Sequence, residues 1–196
     1  MSLPHALLGL INYRAATGYE LKQTFSKSIH FFWDATLPQI YRTLNDMEAK
    51  AWLSSTFKHQ EGKPSRKVYR VTQAGVKELK RWLAAPTEPP EPRLAVLVKT
   101  FFGNQLEPRL LAEVLKQWCD YHRKLLKTYE EKVVPVIARK AELMGADNDA
   151  RYWGFTLDYG RRYAKMNIEW CEATMEALRR KVSSRGQPSR KTGARR

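Results

Sequence analysis

The chain has 196 residues, 43% of them hydrophobic, enough to bury a core and to exclude a disordered chain. Its 35 basic and 20 acidic residues leave a formal charge of +15, which points to an anionic partner, nucleic acid ahead of a membrane surface. Two cysteines, Cys119 and Cys171, lie outside any CxxC or Cys/His cluster, which excludes a disulfide framework and suits two buried thiols in a reducing cytosol.

Residues 1–5 carry no charged leader, and no apolar stretch reaches the roughly 18 residues a membrane span needs. A soluble, cytoplasmic protein without a membrane partner is expected. From Leu3 to Tyr13, Leu3, Ala6, Leu7, Leu10 and Ile11 recur at helical spacing and predict a first helix with one buried face. Thr17-Gly18-Tyr19-Glu20 fits a capping box that starts a second helix near Gly18, burying Leu21 and Phe25.

Asp34 or Thr36 caps a third helix, in which Pro38 falls in the first turn where its missing N–H is not needed. Leu37, Ile40, Leu44 and Met47 form its core stripe. Projection at about 100° per residue puts Pro38, Gln39, Arg42, Asn45 and Asp46 on the opposite face, with Tyr41 and Thr43 on its flanks. Amide, guanidinium and hydroxyl groups are the types that read base edges in a major groove. The same residues also suit an ordinary solvated helix face.

The next segment weighs against that plainer reading. Residues 53–59 and 66–72 read as two strands around a turn at Glu61-Gly62-Lys63-Pro64. Lys67, Tyr69 and Val71 share one side of the second strand, and Arg66, Val68 and Arg70 the other. With Lys58 and Lys63 added, this basic two-stranded ribbon can clamp phosphates. Thr72 caps a fourth helix with the stripe Val76, Leu79, Trp82 and Leu83. Helix, basic ribbon and helix in this order make a winged helix-turn-helix at residues 1–85.

Four prolines within residues 86–92 deny helix and sheet and mark a linker. Residues 93–182 are helical by period. Leu94, Leu97, Val98, Phe101 and Phe102 make a short apolar helix stopped by Gly103-Asn104. Pro108 opens a long one whose Leu111, Leu115, Trp118, His122, Leu125 and Tyr129 form a heptad seam, suited to a coiled coil or a helical hairpin. Pro135 is expected to kink it, and Gly145 to end it. A last helix carries Trp153, Leu157, Gly160, Ala164, Ile168, Cys171, Met175, Leu178 and Val182 in one stripe, with Tyr152, Phe155, Tyr159, Tyr163, Met166 and Trp170 in a second beside it. Two stripes exceed what one hairpin hides, which predicts burial of the excess against another subunit. The tail, 183–196, lacks large apolar residues and carries five positive charges, so disorder is expected there. The fold class expected is mainly α: a winged helix-turn-helix with a two-stranded wing, then an all-helical dimerisation domain.

Gln39-Ile40-Tyr41-Arg42-Thr43-Leu44 with Met47-Glu48, followed by Gly62 to Val71, Thr72 and Gly75, resembles the PadR family of bacterial transcriptional regulators. Leu7-Leu8-Gly9-Leu10 and Gly18-Tyr19-Glu20-Leu21 match as well. Trp153 to Gly160 and Ile168-Glu169-Trp170 resemble the helical domain of the longer, virulence-activator type. The resemblance implies a homodimer held by the C-terminal helices, here through Leu111, Leu115, Trp118, His122, Leu125, Trp153, Leu157, Ile168 and Trp170. It also implies two winged helices on a pseudo-palindromic operator in double-stranded DNA. The groove positions it implies are Thr36, Gln39, Tyr41, Arg42 and Asn45, and the wing positions Lys63, Arg66 and Lys67. Pro38 and Arg42 depart from many members, so an operator sequence does not transfer. Some members bind a small aromatic effector, for which Trp33, Trp118, Trp153 and Tyr159 are the residues available here. Packing accounts for those aromatics equally without a ligand.

The function expected is sequence-specific regulation, most simply repression, with release by an effector; an activator or a non-specific architectural protein are the alternatives. His5, His30, His59 and His122 lack metal spacing or a neighbouring nucleophile motif, and paired carboxylates with a partner base are absent. No enzyme, metal or cofactor is therefore expected.

Overall fold

The computed structural model describes residues 3–31, 33–60, 63–87, 89, 93–145 and 147–185, without the side chains of His30, Gln60, Lys63, Pro64, Leu143, Met144, Asp147 and 181–185. The chain divides into two compact units, Met1–Pro90 and Glu91–Arg196. The division falls within the proline-rich segment. Of the tail, 183–196, residues 183–185 continue the last helix instead of being disordered, and those from 186 lie outside the described residues.

The first unit is built from α1 (Leu3–Tyr13), β1 (Ala16–Thr17), α2 (Gly18–Ser26), α3 (Leu37–Ala49), β2 (Leu53–Gln60), β3 (Lys63–Val71) and α4 (Gln73–Ala84), with a 3-10 turn at Ile29–Phe31. Leu7, Leu8, Ile11, Leu21, Phe25, Ile40, Leu44, Met47, Leu53, Tyr69 and Leu79 are its buried core. α2, α3 and α4 begin where their caps predict. Thr17 and Glu20 form the capping box of α2: the Glu20 N–H donates to Thr17 Oγ1 at 3.2 Å, and the Thr17 N–H donates to Glu20 at 2.8 Å. Thr72 caps α4, accepting from the Gly75 N–H at 3.1 Å.

The ribbon differs from expectation in two ways. A third strand is present, because the two residues of β1 pair with β3, Ala16 opposite Tyr69 and Thr17 opposite Val68, giving the antiparallel order β1-β3-β2. The backbone between α1 and α2 is extended and lies beside β3, so its amide groups find partners there rather than remaining in a loop. The strands also run further than residues 53–59 and 66–72, pairing from Leu53–Val71 to Lys58–Arg66 and, past a register shift, Gln60–Lys63. Lys63 and Pro64 therefore belong to strand backbone, not to the turn; Glu61 and Gly62 lie outside the described residues. Leu83, assigned to the α4 core stripe, is instead exposed, since α4 meets the core mainly through Leu79.

A small cluster ties α1 to α4. His5 stacks on Trp82 with ring centroids 4.6 Å apart, and its Nε2 donates to Glu78 at 3.0 Å, while Arg81 holds the same carboxylate at 2.6 Å. The Arg81 and His5 hydrogen bonds push the Glu78 carboxyl down to about 2. Gly75 is required nearby, because a Cβ there would run into the carbonyl oxygen of Trp52. That oxygen is held in place, since it accepts from the N–H of Thr72 at 3.0 Å, while the Thr72 hydroxyl is shared between the Ala51 carbonyl at 2.6 Å and this one at 3.1 Å.

The second unit contains α5 (Ala95–Phe101), a 3-10 turn at Gly103–Gln105, α6 (Pro108–Thr128), a π-helical turn at Tyr129–Val133, α7 (Val134–Met144) and α8 (Asp147–Arg185). Pro108 stands in the first turn of α6, and Gly145 ends α7 in the left-handed conformation at φ 57°. The kink expected from Pro135 takes the form of the wide turn just before it. A proline cannot donate to the preceding turn, and widening the helix there avoids its ring. Tyr129, in that turn, packs its ring directly over Gly160 of α8.

α6 lies along α8, and Leu111, Leu115, Cys119 and Cys171 form the core with Val96 of α5. The heptad seam thus serves a hairpin within one chain. Leu111, Leu115 and His122, expected at an interface between chains, are buried inside a single one. His122 is 2% exposed and neither ring nitrogen has a partner among the described residues. It is boxed by the rings of Trp118, Tyr121 and Tyr163 at 4.8, 5.0 and 5.7 Å. Burial pushes its imidazole below the ordinary 6.5.

Two tests follow from these contacts. Gly75→Ala should destabilise the first unit by about 1–3 kcal/mol, an overpacking penalty against immobile backbone, read as a lower denaturant midpoint. For His122 the folded state resists protonation, so stability is full above the unfolded value of 6.5 and falls as pH drops through it. His122→Leu should raise stability at pH 7 by about 1–3 kcal/mol by removing two orphaned nitrogens. The same variant should flatten the loss between pH 7 and 5; an unchanged pH profile would count against this account.

Candidate nucleic-acid interface

The third helix is held in place at both ends. Thr36 accepts from the Gln39 N–H at 3.4 Å, and the Gln39 side-chain oxygen accepts from the Thr36 N–H at 2.8 Å and from its hydroxyl at 3.0 Å. Before it, Lys22 of α2 donates to the Ala35 carbonyl at 2.6 Å and lies 3.7 Å from Asp34. This fixes the turn between α2 and α3. Tyr41 lays its ring over Gly18 at the start of α2, so a side chain at Gly18 would collide with it. At the far end, Ala51 takes a left-handed φ of 56° that turns the chain into β2.

With Ile40, Leu44 and Met47 buried, the outward face carries Pro38, Gln39, Arg42, Asn45 and Asp46, all exposed. Arg42 has no ion-pair partner among the described residues. Of the positions implied by resemblance, Arg42 and Asn45 are free on that face. Thr36 and the Gln39 oxygen are engaged in the capping box, and the Gln39 amide nitrogen has no partner among the described residues. Tyr41 is 41% exposed on the flank of that face, with its ring packed over Gly18.

Strand alternation divides the wing cations between two faces. Residues opposite one another in antiparallel strands share a face, so Arg66 lies with Lys58 and Arg70 with Ser54, on the side away from buried Tyr69. Lys58, Arg66 and Arg70 are exposed and unpaired among the described residues. Lys67 lies on the other face, with Tyr69 and Phe57. Its ammonium donates to Glu48 of α3 at 2.6 Å and rests 5.1 Å from the centroid of the Tyr69 ring. The other Glu48 oxygen accepts from the Ser55 hydroxyl. Hydrogen bonds from Lys67 and Ser55 lower the Glu48 carboxyl, and its carboxylate in turn raises the Lys67 ammonium. The side chain of Lys63 is outside the described residues.

Sequence reasoning missed three features here. The Thr36-x-x-Gln39 spacing was a readable capping box, hidden by treating Gln39 as a reader. Glu48 gave no local signal, because its partner Lys67 is 19 positions along the chain and its partner Ser55 lies on the next strand. Phe57, 69% exposed opposite Lys67, carries no signal in the sequence beyond its place in a strand. Of the aromatics available for an effector, Trp33 is half-buried against the core of the first unit. Within the second, Trp118 donates to Asn167 at 2.9 Å, Trp153 is half-buried, and Tyr159 is exposed and stacked on Tyr163.

Among the described residues, no group of three or more His, Cys, Asp or Glu could hold a metal ion, and no helix is long and apolar enough to cross a membrane. Two family models match the chain: the PadR-like family of transcriptional regulators over residues 7–81, and the virulence activator alpha C-terminal family over residues 92–179. A probable transcriptional regulator of Mycobacterium tuberculosis is 31% identical over 188 residues, covering 92% of this chain and all of that protein. The fold matches Bacillus subtilis PadR, solved with operator DNA, at a TM-score of 0.77 and 21% identity over 91% of this chain and 99% of that one. The same protein has been solved with p-coumaric acid. It also matches the Vibrio cholerae virulence activator AphA at a TM-score of 0.72 and 28% identity, over 91% and 99% of the two chains. A winged-helix unit with a capped third helix and a basic wing, joined to a helical unit and matched along nearly its whole length, belongs to the PadR-like family of transcriptional regulators.

Proposed function

We propose that the protein binds double-stranded DNA as a homodimer at a pseudo-palindromic operator and represses transcription by occluding the promoter. The observation that carries this reading is the outward face of α3, where Arg42 stands exposed and unpaired between Gln39 and Asn45, beside a wing whose outer face bears Lys58, Arg66 and Arg70. Arg42 has the fork that meets guanine O6 and N7, and Asn45 the amide that meets adenine. The wing cations and Lys63 supply sequence-independent, salt-dependent affinity. A protein acting this way works in the cytoplasm. A small aromatic acid, the class of ligand found with the B. subtilis protein, is the first effector to test for release.

The helical unit supports the dimer. Tyr152, Phe155, Tyr159 and Met166 line up exposed on α8, the second stripe that the hairpin leaves uncovered. In α5, only Val96 is buried, while Val98 and Phe101 stay open, Phe101 at 80%. Apolar surface on this scale calls for a cover. Activation rather than repression is the second reading, favoured by the likeness to AphA, and a promoter–reporter assay with and without the protein separates the two.

Selection of bound sequences from a random duplex pool should return two related half-sites. Arg42→Ala should cost about 1–3 kcal/mol of discrimination at one base pair in each half. Arg66→Ala should weaken all duplexes alike and reduce the slope of log affinity against log salt by about 1. Equal binding of selected and random duplex would favour an architectural protein instead. Charged replacements at Phe155 and Tyr159 together should shift sedimentation from dimer to monomer and cost affinity mainly on the two-half-site operator.

A further inference from the structure

Two polar groups of the wing converge on one carboxylate of the reading helix. Glu48 sits in the last turn of α3, Ser55 on β2 and Lys67 on β3, so the contact joins the reading helix to both strands of the wing. Lys67 reaches Glu48 Oε2 at 2.6 Å and Ser55 reaches Oε1, which uses both carboxylate oxygens. The ammonium is also seated on the Tyr69 ring, whose own position is fixed by burial. Both charged side chains are 31% exposed, so water screens the pair and its worth as bulk stabilisation is small. Its geometric effect is larger. The carboxylate is pinned from both sides and the ammonium from two, so neither end of the link is free to swing.

We propose that Glu48 and Lys67, with Ser55, form a clasp that sets the spacing between the reading helix and the wing, so that both are positioning residues for DNA reading and Lys67 is not a phosphate ligand. The proposal rests on the DNA-binding reading of α3 and the wing. A lysine already neutralised by a carboxylate displaces no counterion from DNA, unlike Arg66 on the opposite face of the same strand. Breaking the clasp lets the wing drift relative to α3, so that groove and backbone contacts no longer form together. The loss then falls on the matched operator, where both sets of contacts are satisfied, and little on random duplex.

The test uses the full chain, an operator selected as above, and random duplex of equal length, with affinity measured across a salt series. Lys67→Met and Glu48→Gln should each weaken operator binding by roughly tenfold, a size typical of coupled contacts, while random-duplex binding barely changes. The salt slope should stay at the wild-type value for both variants. The double variant should be no weaker than the worse single one, and Lys67→Arg should recover most of the loss. Arg66→Met is the contrast, with a shallower slope and equal loss on both duplexes. The clasp is overturned if Lys67→Met lowers the slope by about 1, as a phosphate ligand does, or if Glu48→Gln tightens binding by freeing a cation. It is overturned equally if the two losses simply add, or if either variant binds the operator as the wild type does. Glu48→Gln keeps a group that Ser55 can bond and so guards against a loss caused by misfolding, which hydrogen exchange in β2 and β3 would reveal as lost protection. A wild-type protein that does not distinguish operator from random duplex would remove the DNA-reading assignment itself, a result separate from any of these.

Discussion

Strand β3 alternates about one buried ring, and the arrangement of the first unit depends on it. Tyr69 pairs with Ala16 on one side and Ser55 on the other, and its side chain is buried in the core. Because side chains in a strand reverse face at each step, burying Tyr69 places Lys67 on the helix side and Arg66 and Arg70 on the opposite one. A slip of one residue would exchange those sets. The core therefore decides which cations of the wing are joined to the protein and which are left exposed. Burial of the ring also raises the Tyr69 hydroxyl, which stays neutral and so adds no competing charge beside Lys67.

Much of the first unit was legible because its signals are local. Thr17 with Glu20, Thr36 and Thr72 are caps whose N–H donors lie three residues on, and the stripe Ile40, Leu44 and Met47 repeats at helical period. Pairings distant in sequence were not legible. The two-residue β1 has no periodicity to read, and exists only because β3 offers it an edge. The Glu48–Lys67 pair spans 19 positions, and neither residue differs from an ordinary surface charge until the wing folds onto α3. Gln39 illustrates a different limit. Its outward position on the helix was correct by projection, yet its oxygen turns back to the cap, a use that face geometry alone does not display.

In the second unit, the period of the apolar residues was clear and its consequence was ambiguous. A seam at heptad spacing serves a partner helix in the same chain as readily as one in another. What resolves the ambiguity is length. The chain turns at Gly145, and α8 is long enough to return along the whole of α6. Closure within one chain brings the helices together without the entropy cost of association, so the seam is occupied first by the covalently tethered partner. The stripe that remains, Tyr152, Phe155, Tyr159 and Met166, is therefore the one left over after the hairpin forms.

Which residues remain over depends in turn on the register of α6 against α8, and apolar seams specify register poorly because a shift of one turn matches leucines to other large side chains. The polar contact is more exacting. The Trp118 indole N–H donates to Asn167 at 2.9 Å, while the amide nitrogen of Asn167 donates to the Tyr163 carbonyl one turn back on the same helix. Sliding α6 by a turn, about 5.4 Å, would leave both the indole N–H and the buried Asn167 oxygen without partners. Tyr129 packed over Gly160 adds a close steric contact at the same level, since a Cβ there would press on the end of the ring. These two contacts cost apolar burial, yet they exclude the neighbouring registers. By fixing the rotation of α8, they also determine that Phe155 and Tyr159 face outward, so a polar pair inside one chain sets the surface that a second chain would meet.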